Sequence, residues 1–126
     1  VYDIKAGSLR IIANEGTTEF PNSCFTPDDR YIITSLEFDS RQAKLCRIPR
    51  EGGKPVQLTF HSGNHFYPKC SPDGEWILYT NVSSESGVTR AVYAYNTKTK
   101  TSSRVFPGLE YDHGGGSFSP DGKHIG

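Results

Sequence analysis

The chain has 126 residues, room for one modest domain. Lys and Arg number 14 and Asp and Glu 14, so the formal charge is zero, which argues against a protein that tracks nucleic-acid phosphates. Hydrophobic residues make up only 34%, and no apolar run approaches the about 18 residues of a membrane span, so thin sheets joined by polar turns are expected rather than a thick core.

In chain order, the first strand-like run covers residues 1–4, followed by a turn at Lys5-Ala6-Gly7 and a second run over 9–12. Phe25-Thr26-Pro27-Asp28-Asp29 then precedes a strand at 31–34, a loop, a strand at 44–48 and a strand at 55–59. The same order returns. Cys70-Ser71-Pro72-Asp73-Gly74 leads to strands at 76–79, 90–96 and 103–106, and Phe118-Ser119-Pro120-Asp121-Gly122 leads to Ile125. The repeated prolines are spaced by about 45 residues, the length of a four-stranded propeller blade. In each copy Pro fixes one backbone angle, Asp bonds back to the chain, and Gly accepts a left-handed φ. Pro27, Asp28, Pro72, Asp73, Gly74, Pro120, Asp121 and Gly122 are therefore structural turn residues, and Asp29 stands where the other copies have Gly. No window shows sustained helical periodicity, so the fold class is all-β.

The Ser-Pro-Asp-Gly turn, its Ile-rich following strand and the stretch from Gly63 to Gly74 resemble the TolB-like, WD-like β-propeller repeat. The resemblance implies blades of four antiparallel strands, about three blade equivalents of a larger ring of about six to eight blades. The expected divisions are a half blade at 1–19, blades at 20–65 and 66–113, and the start of another blade at 114–126. Met is absent, and the register opens and closes inside blades, so the chain is expected to be a fragment of a longer propeller. The alternative is a half-propeller that self-associates to complete its half-blades.

In a propeller the loop entering each inner strand opens on the usual binding face. Those loops are 16–22, 61–69 and 109–117. Counting back from the motif prolines places Phe20, His65 and His113 in matching positions, with Glu19 and Asp112 beside them. Together with Phe66, Tyr67 and Tyr111 they form the candidate partner-binding set, aromatics being suited to a protein hot spot or to stacking on sugars. His65 and His113 are weak candidates for metal ligation, set against ordinary polar lining of a channel mouth. His113-Gly114-Gly115-Gly116 matches an esterase oxyanion string but lacks the GxSxG elbow that the chemistry requires. Asn81-Val82-Ser83 reads as a glycosylation sequon of a kind common by chance. Cys24, Cys46 and Cys70 form no CxxC pair and read as small buried hydrophobes, although an odd count also permits one bridge and a leftover thiol.

The expected function is a non-catalytic interaction module binding a protein or peptide at the channel face, with carbohydrate as a further option. It needs no cofactor, no metal and no nucleic acid. The TolB resemblance implies a role in the cell envelope, hence a periplasmic or extracellular location. The competing expectation is enzymatic: the propeller portion of a prolyl-oligopeptidase-like serine peptidase or of an oligogalacturonate-lyase-like polysaccharide lyase.

Overall fold

A computed structural model describes residues 1–10, 22–38, 41–84, 89–107 and 115–126. The ordered elements among them are strands: β1 (Tyr2–Asp3), β2 (Ser8–Leu9), β3 (Cys24–Phe25), β4 (Tyr31–Glu37), β5 (Ala43–Pro49), β6 (Val56–Gln57), β7 (Asn64–Cys70), β8 (Trp76–Ser83), β9 (Thr89–Asn96) and β10 (Thr101–Arg104). They form one hairpin, β1-β2, and two four-stranded meanders, β3-β4-β5-β6 and β7-β8-β9-β10, antiparallel throughout. Phe118 and Ile125 make a further antiparallel bridge after the third turn motif.

Strand alternation builds two cores. In β8, Ile77 and Tyr79 face the preceding sheet and pack with Ile33, Leu45 and Tyr95. Leu78 points the other way and joins Val92 and Ala94, against which Phe118 and Ile125 pack. The strand is therefore apolar on both faces, which explains its nearly unbroken hydrophobic run. Each Leu- or Ile-sized side chain buried in these layers contributes about 1.5–3 kcal/mol.

The three turn motifs are built alike. Thr26, Ser71 and Ser119 each donate a hydroxyl hydrogen bond to the Asp two residues on, at 2.6, 2.6 and 2.5 Å. The same carboxylate oxygens accept from the backbone N–H of Arg30, Glu75 and Lys123. These bonds, the hydroxyl ones first, hold the Asp28, Asp73 and Asp121 carboxyls below the ordinary carboxylate range. Gly74 and Gly122 take φ of 75° and 72°, and Asp29 takes 59° at the matching position. Successive turns also touch: a side-chain carbon at Gly74 would meet Pro27, and one at Gly122 would lie 3.2 Å from Pro72 Cδ.

The outer strands differ from the expected spans. β6 is confined to Val56–Gln57 because the ladder ends in a side chain: Leu58 N–H reaches the Leu45 carbonyl at 2.7 Å, but Leu45 N–H is received by Thr59 Oγ1. β10 begins earlier than expected, at Thr101, because Asn96 closes a tight turn. Its side-chain oxygen accepts from Lys98 and Thr99 N–H, while Lys100 N–H bonds its carbonyl. The expectation of three buried thiols is also corrected. Cys24 and Cys70 form a disulfide with Cα atoms 6.2 Å apart, and only Cys46 is free. Cys24 and Cys70 each stand just before a turn motif in successive repeats, but only the adjacency of β3 and β7 brings them together. Burial drives the Cys46 thiol up to about 12, outside any physiological thiolate range.

Candidate binding face at the inner strands

β3 and β7 begin their respective sheets and lie side by side, joined by the Cys24–Cys70 bridge. Residues 115–118 continue this series of inner edges. Lys69 Nζ donates to Ser117 Oγ at 2.9 Å across the gap. Along these edges lies a cavity of about 630 Å³ lined by Asn22, Ser23, Tyr67, Pro68, Lys69 and Arg90, with the disulfide and Gly115 completing its wall.

The position of Tyr67 follows from a register fault in β7. His65 pairs with Asn81 and Phe66 with Thr80, but Lys69 pairs with Leu78, so one extra residue is accommodated between Phe66 and Lys69. Tyr67 occupies that bulge with φ of 58°, a left-handed backbone that is costly for a bulky residue, about 1–3 kcal/mol. The bulge turns its ring outward, 49% exposed, with Phe66 edge-on to it at 6.2 Å between centroids. Bulges recur beside functional sites because they re-aim a side chain.

His65 lies elsewhere. It is 0% exposed, on the sheet face that packs toward β3-β6. Its Nδ1 lies 2.7 Å from Thr59 Oγ1, which also receives the Leu45 N–H. The Thr59 hydroxyl therefore donates to Nδ1 and selects the neutral tautomer protonated at Nε2. Burial, reinforced by the nearby His61 and Lys44, drives its pKa down to about 3. His61 stacks on Tyr93, with centroids 5.2 Å apart and planes at 30°. Lys44, itself buried, donates to the carbonyls of His61 and Gly63 and to Gln42 Oε1. This group anchors the loop that enters β7, and His65 serves as one of its packing residues.

Of the expected binding set, Tyr67 lines the cavity, Phe66 supports it, and His65 is turned away. Glu19, Phe20, Tyr111, Asp112 and His113 lie outside the described residues. Among the described residues no group of three or more His, Cys, Asp or Glu is arranged to hold a metal ion. The residues that sequence counting missed are Asn22, Ser23, Lys69 and Arg90; Asn22 and Lys69 carried a signal, each being the last residue of an expected entry loop, whereas Ser23 and Arg90 carried none. Asn81 of the sequon is buried in β8 and donates to the Ser62 carbonyl, so its amide is engaged inside the fold.

No protein-family model matches the chain, and no curated protein matches it in sequence. Its shape, however, is well represented among solved structures. A TolB from Acinetobacter baumannii superposes with a TM-score of 0.79 at 21% identity, over 98% of this chain and 30% of its own. A TolB from Agrobacterium tumefaciens gives 0.72 at 17% identity, over 83% of this chain and 39% of its own. The tricorn protease gives 0.72 at 15% identity, over 98% of this chain and 12% of its own. The chain thus spans well under half the length of each of these proteins. Its blades, turn motifs and inner-strand edge are those of a β-propeller, and its fold is that of the TolB-like propellers.

Proposed function

We propose that the chain is part of a non-catalytic, protein-binding propeller of TolB type, which takes a protein or peptide segment on its inner-strand face. The observation that carries this reading is Tyr67, an aromatic ring held exposed by a bulged, left-handed backbone and set beside Lys69 and Arg90 in one cavity. Strain of this kind persists only where surrounding structure enforces it, and exposed Tyr flanked by cations is the composition of an interface anchor. The two cations favour a partner segment with acidic or carbonyl-rich character.

A photo-cross-linking amino acid at position 67, in the parent protein in its own cells, should give a discrete protein adduct. The same group at Val56, on the outer strand of the first meander, should not. Loss of the adduct on Lys69→Glu would agree with the charge argument. Equal labelling from both positions, or none from 67, would reject the reading.

A periplasmic or extracellular location is part of the same proposal, supported by the Cys24–Cys70 disulfide, since such bonds persist in oxidising compartments. Peptide mapping of the native protein without reductant should recover Cys24 and Cys70 as one disulfide-linked pair and Cys46 as a free thiol. Recovery of Cys24 and Cys70 as free thiols would remove that support.

A further inference from the structure

A second cavity, which shares only Cys70 with the inner-strand one, lies between the two four-stranded meanders at the end that carries the motif turns. It has a volume of about 730 Å³, within the range that accepts a small organic ligand. Its apolar lining includes Tyr31, Trp76 and Tyr95. Its charged lining is balanced, and each sheet supplies one residue of each sign. Asp28 and Arg47 come from the first meander and its turn; Asp73 and Lys100 come from the second.

None of these four groups forms an ion pair among the described residues, although Arg30 lies near Asp28 and Lys98 near Asp73. The ion pairs among the described residues are Arg10–Glu51, Arg50–Asp29 and Lys98–Glu75, none of which uses a cavity charge. Arg47 is held instead by its guanidinium carbon over the Tyr31 ring, 5.0 Å from the centroid. That contact orients the fork and leaves its donors free. The Asp28 and Asp73 carboxylates are fixed through one oxygen by the turn hydroxyls and backbone, and they stay ionised because those bonds lower their pKa. The cavity therefore offers an oriented guanidinium, a lysine ammonium, fixed carboxylates and an aromatic wall together.

We propose that this inter-blade cavity binds a free di- or tripeptide with apolar side chains: its carboxylate taken by Arg47 and Lys100, its ammonium group by Asp28 and Asp73, and its side chains by Tyr31, Trp76 and Tyr95. A zwitterion offers each pair of charges a partner of opposite sign, whereas a simple anion would leave the carboxylates facing it. A purely apolar ligand would leave all four charges desolvated and unpaired.

The test uses Phe-Leu in three forms, free, N-acetylated and C-amidated, titrated by calorimetry into the full chain. Trp76 is the sole tryptophan of these 126 residues and lines the cavity, so the emission of the 126-residue chain reports whether the heat arises there. Saturable binding of the free dipeptide with a shift in Trp76 emission is expected, weakened about tenfold or more by either cap. Arg47→Gln with Lys100→Gln should weaken the free dipeptide by about as much, with an unchanged circular-dichroism spectrum. The proposal is overturned if the free dipeptide produces no heat up to about 10 mM, or if either cap leaves affinity unchanged. Binding that leaves Trp76 emission unmoved, or that survives the double substitution, overturns it equally. None of these outcomes bears on cross-linking at Tyr67, so the two proposals fail separately.

Discussion

The two ends of the blades are held together by different means. At the turn end, each Ser/Thr-Pro-Asp motif satisfies itself: hydroxyl, carboxylate and backbone bonds close within five residues, and the pattern recurs three times almost unchanged. At the other end, the loop entering β7 is held by residues distant in the chain. Lys44 reaches residues 61 and 63, Asn64 Oδ1 accepts the Ala43 N–H, Asn81 reaches Ser62, and Thr59 bridges Leu45 to His65. Local closure makes a unit that can be copied from blade to blade, whereas long-range closure makes one that cannot. A binding surface requires the second kind, because repeated units present repeated chemistry.

The strongest challenge to this contrast is Lys44→Met. It keeps the stem's apolar volume and deletes every charge-assisted bond to the loop, so stability should fall by about 3 kcal/mol in chemical denaturation. A loss comparable to that of a surface lysine would mean that the loop is held by its packing alone.

His65 provides the next largest effect. Its folded pKa of about 3 lies below the ordinary 6.5, so the unfolded chain binds the extra proton between those values and stability declines as pH falls through that window. Between pH 7 and pH 5 the decline should be about 2 kcal/mol. His61, also lowered by burial and by Lys44, adds in the same direction. His65→Gln should flatten this acid limb; an unchanged slope would show that the ring is not the group responsible.

At the turn end, Gly122→Ala and Gly74→Ala should each cost about 1 kcal/mol for placing a Cβ on a left-handed backbone. Gly122→Ala should be the worse of the two, because its new carbon meets Pro72 Cδ at 3.2 Å while the corresponding contact at Gly74 is 3.6 Å. Gly74→Asp, which copies Asp29 of the first motif, should be milder than Gly74→Ala. The reverse ranking in thermal unfolding would contradict the equivalence of the three turns.

The smallest effect concerns the turn carboxylates. Asp28, Asp73 and Asp121 have lowered folded pKa values, so their contribution is present above the unfolded value near 3.8 and is lost as pH falls through the depressed ones. Asp73→Asn should remove part of the stability change below about pH 4 and leave any cross-linking from position 67 at neutral pH unchanged.

Much of this arrangement was legible in the residues. Turn motifs announce themselves through Pro, Asp and Gly because their geometry is closed locally, and the strands between them follow by alternation. The inner-strand site was only partly legible. Counting back from Pro72 assumes an unbroken register, and the single extra residue near Tyr67 breaks it, since one residue of slip exchanges the two faces of a strand. The count therefore placed His65 at the channel mouth, while the bulge leaves it facing the core and brings Tyr67 outward. Lys44 was equally hidden: a lysine in an apolar strand reads as solvent-facing until a loop carbonyl is found at its tip.

By itself the sequence determined the all-β class, the turn chemistry and the order of strands, which rest on local turn closure and on strand alternation. Tertiary structure decided the Cys24–Cys70 bridge, the burial of His65, the exposure of Tyr67 and the cavity between the meanders. Those features depend on which sheet edges and faces meet, and the packing of one blade against the next settles that.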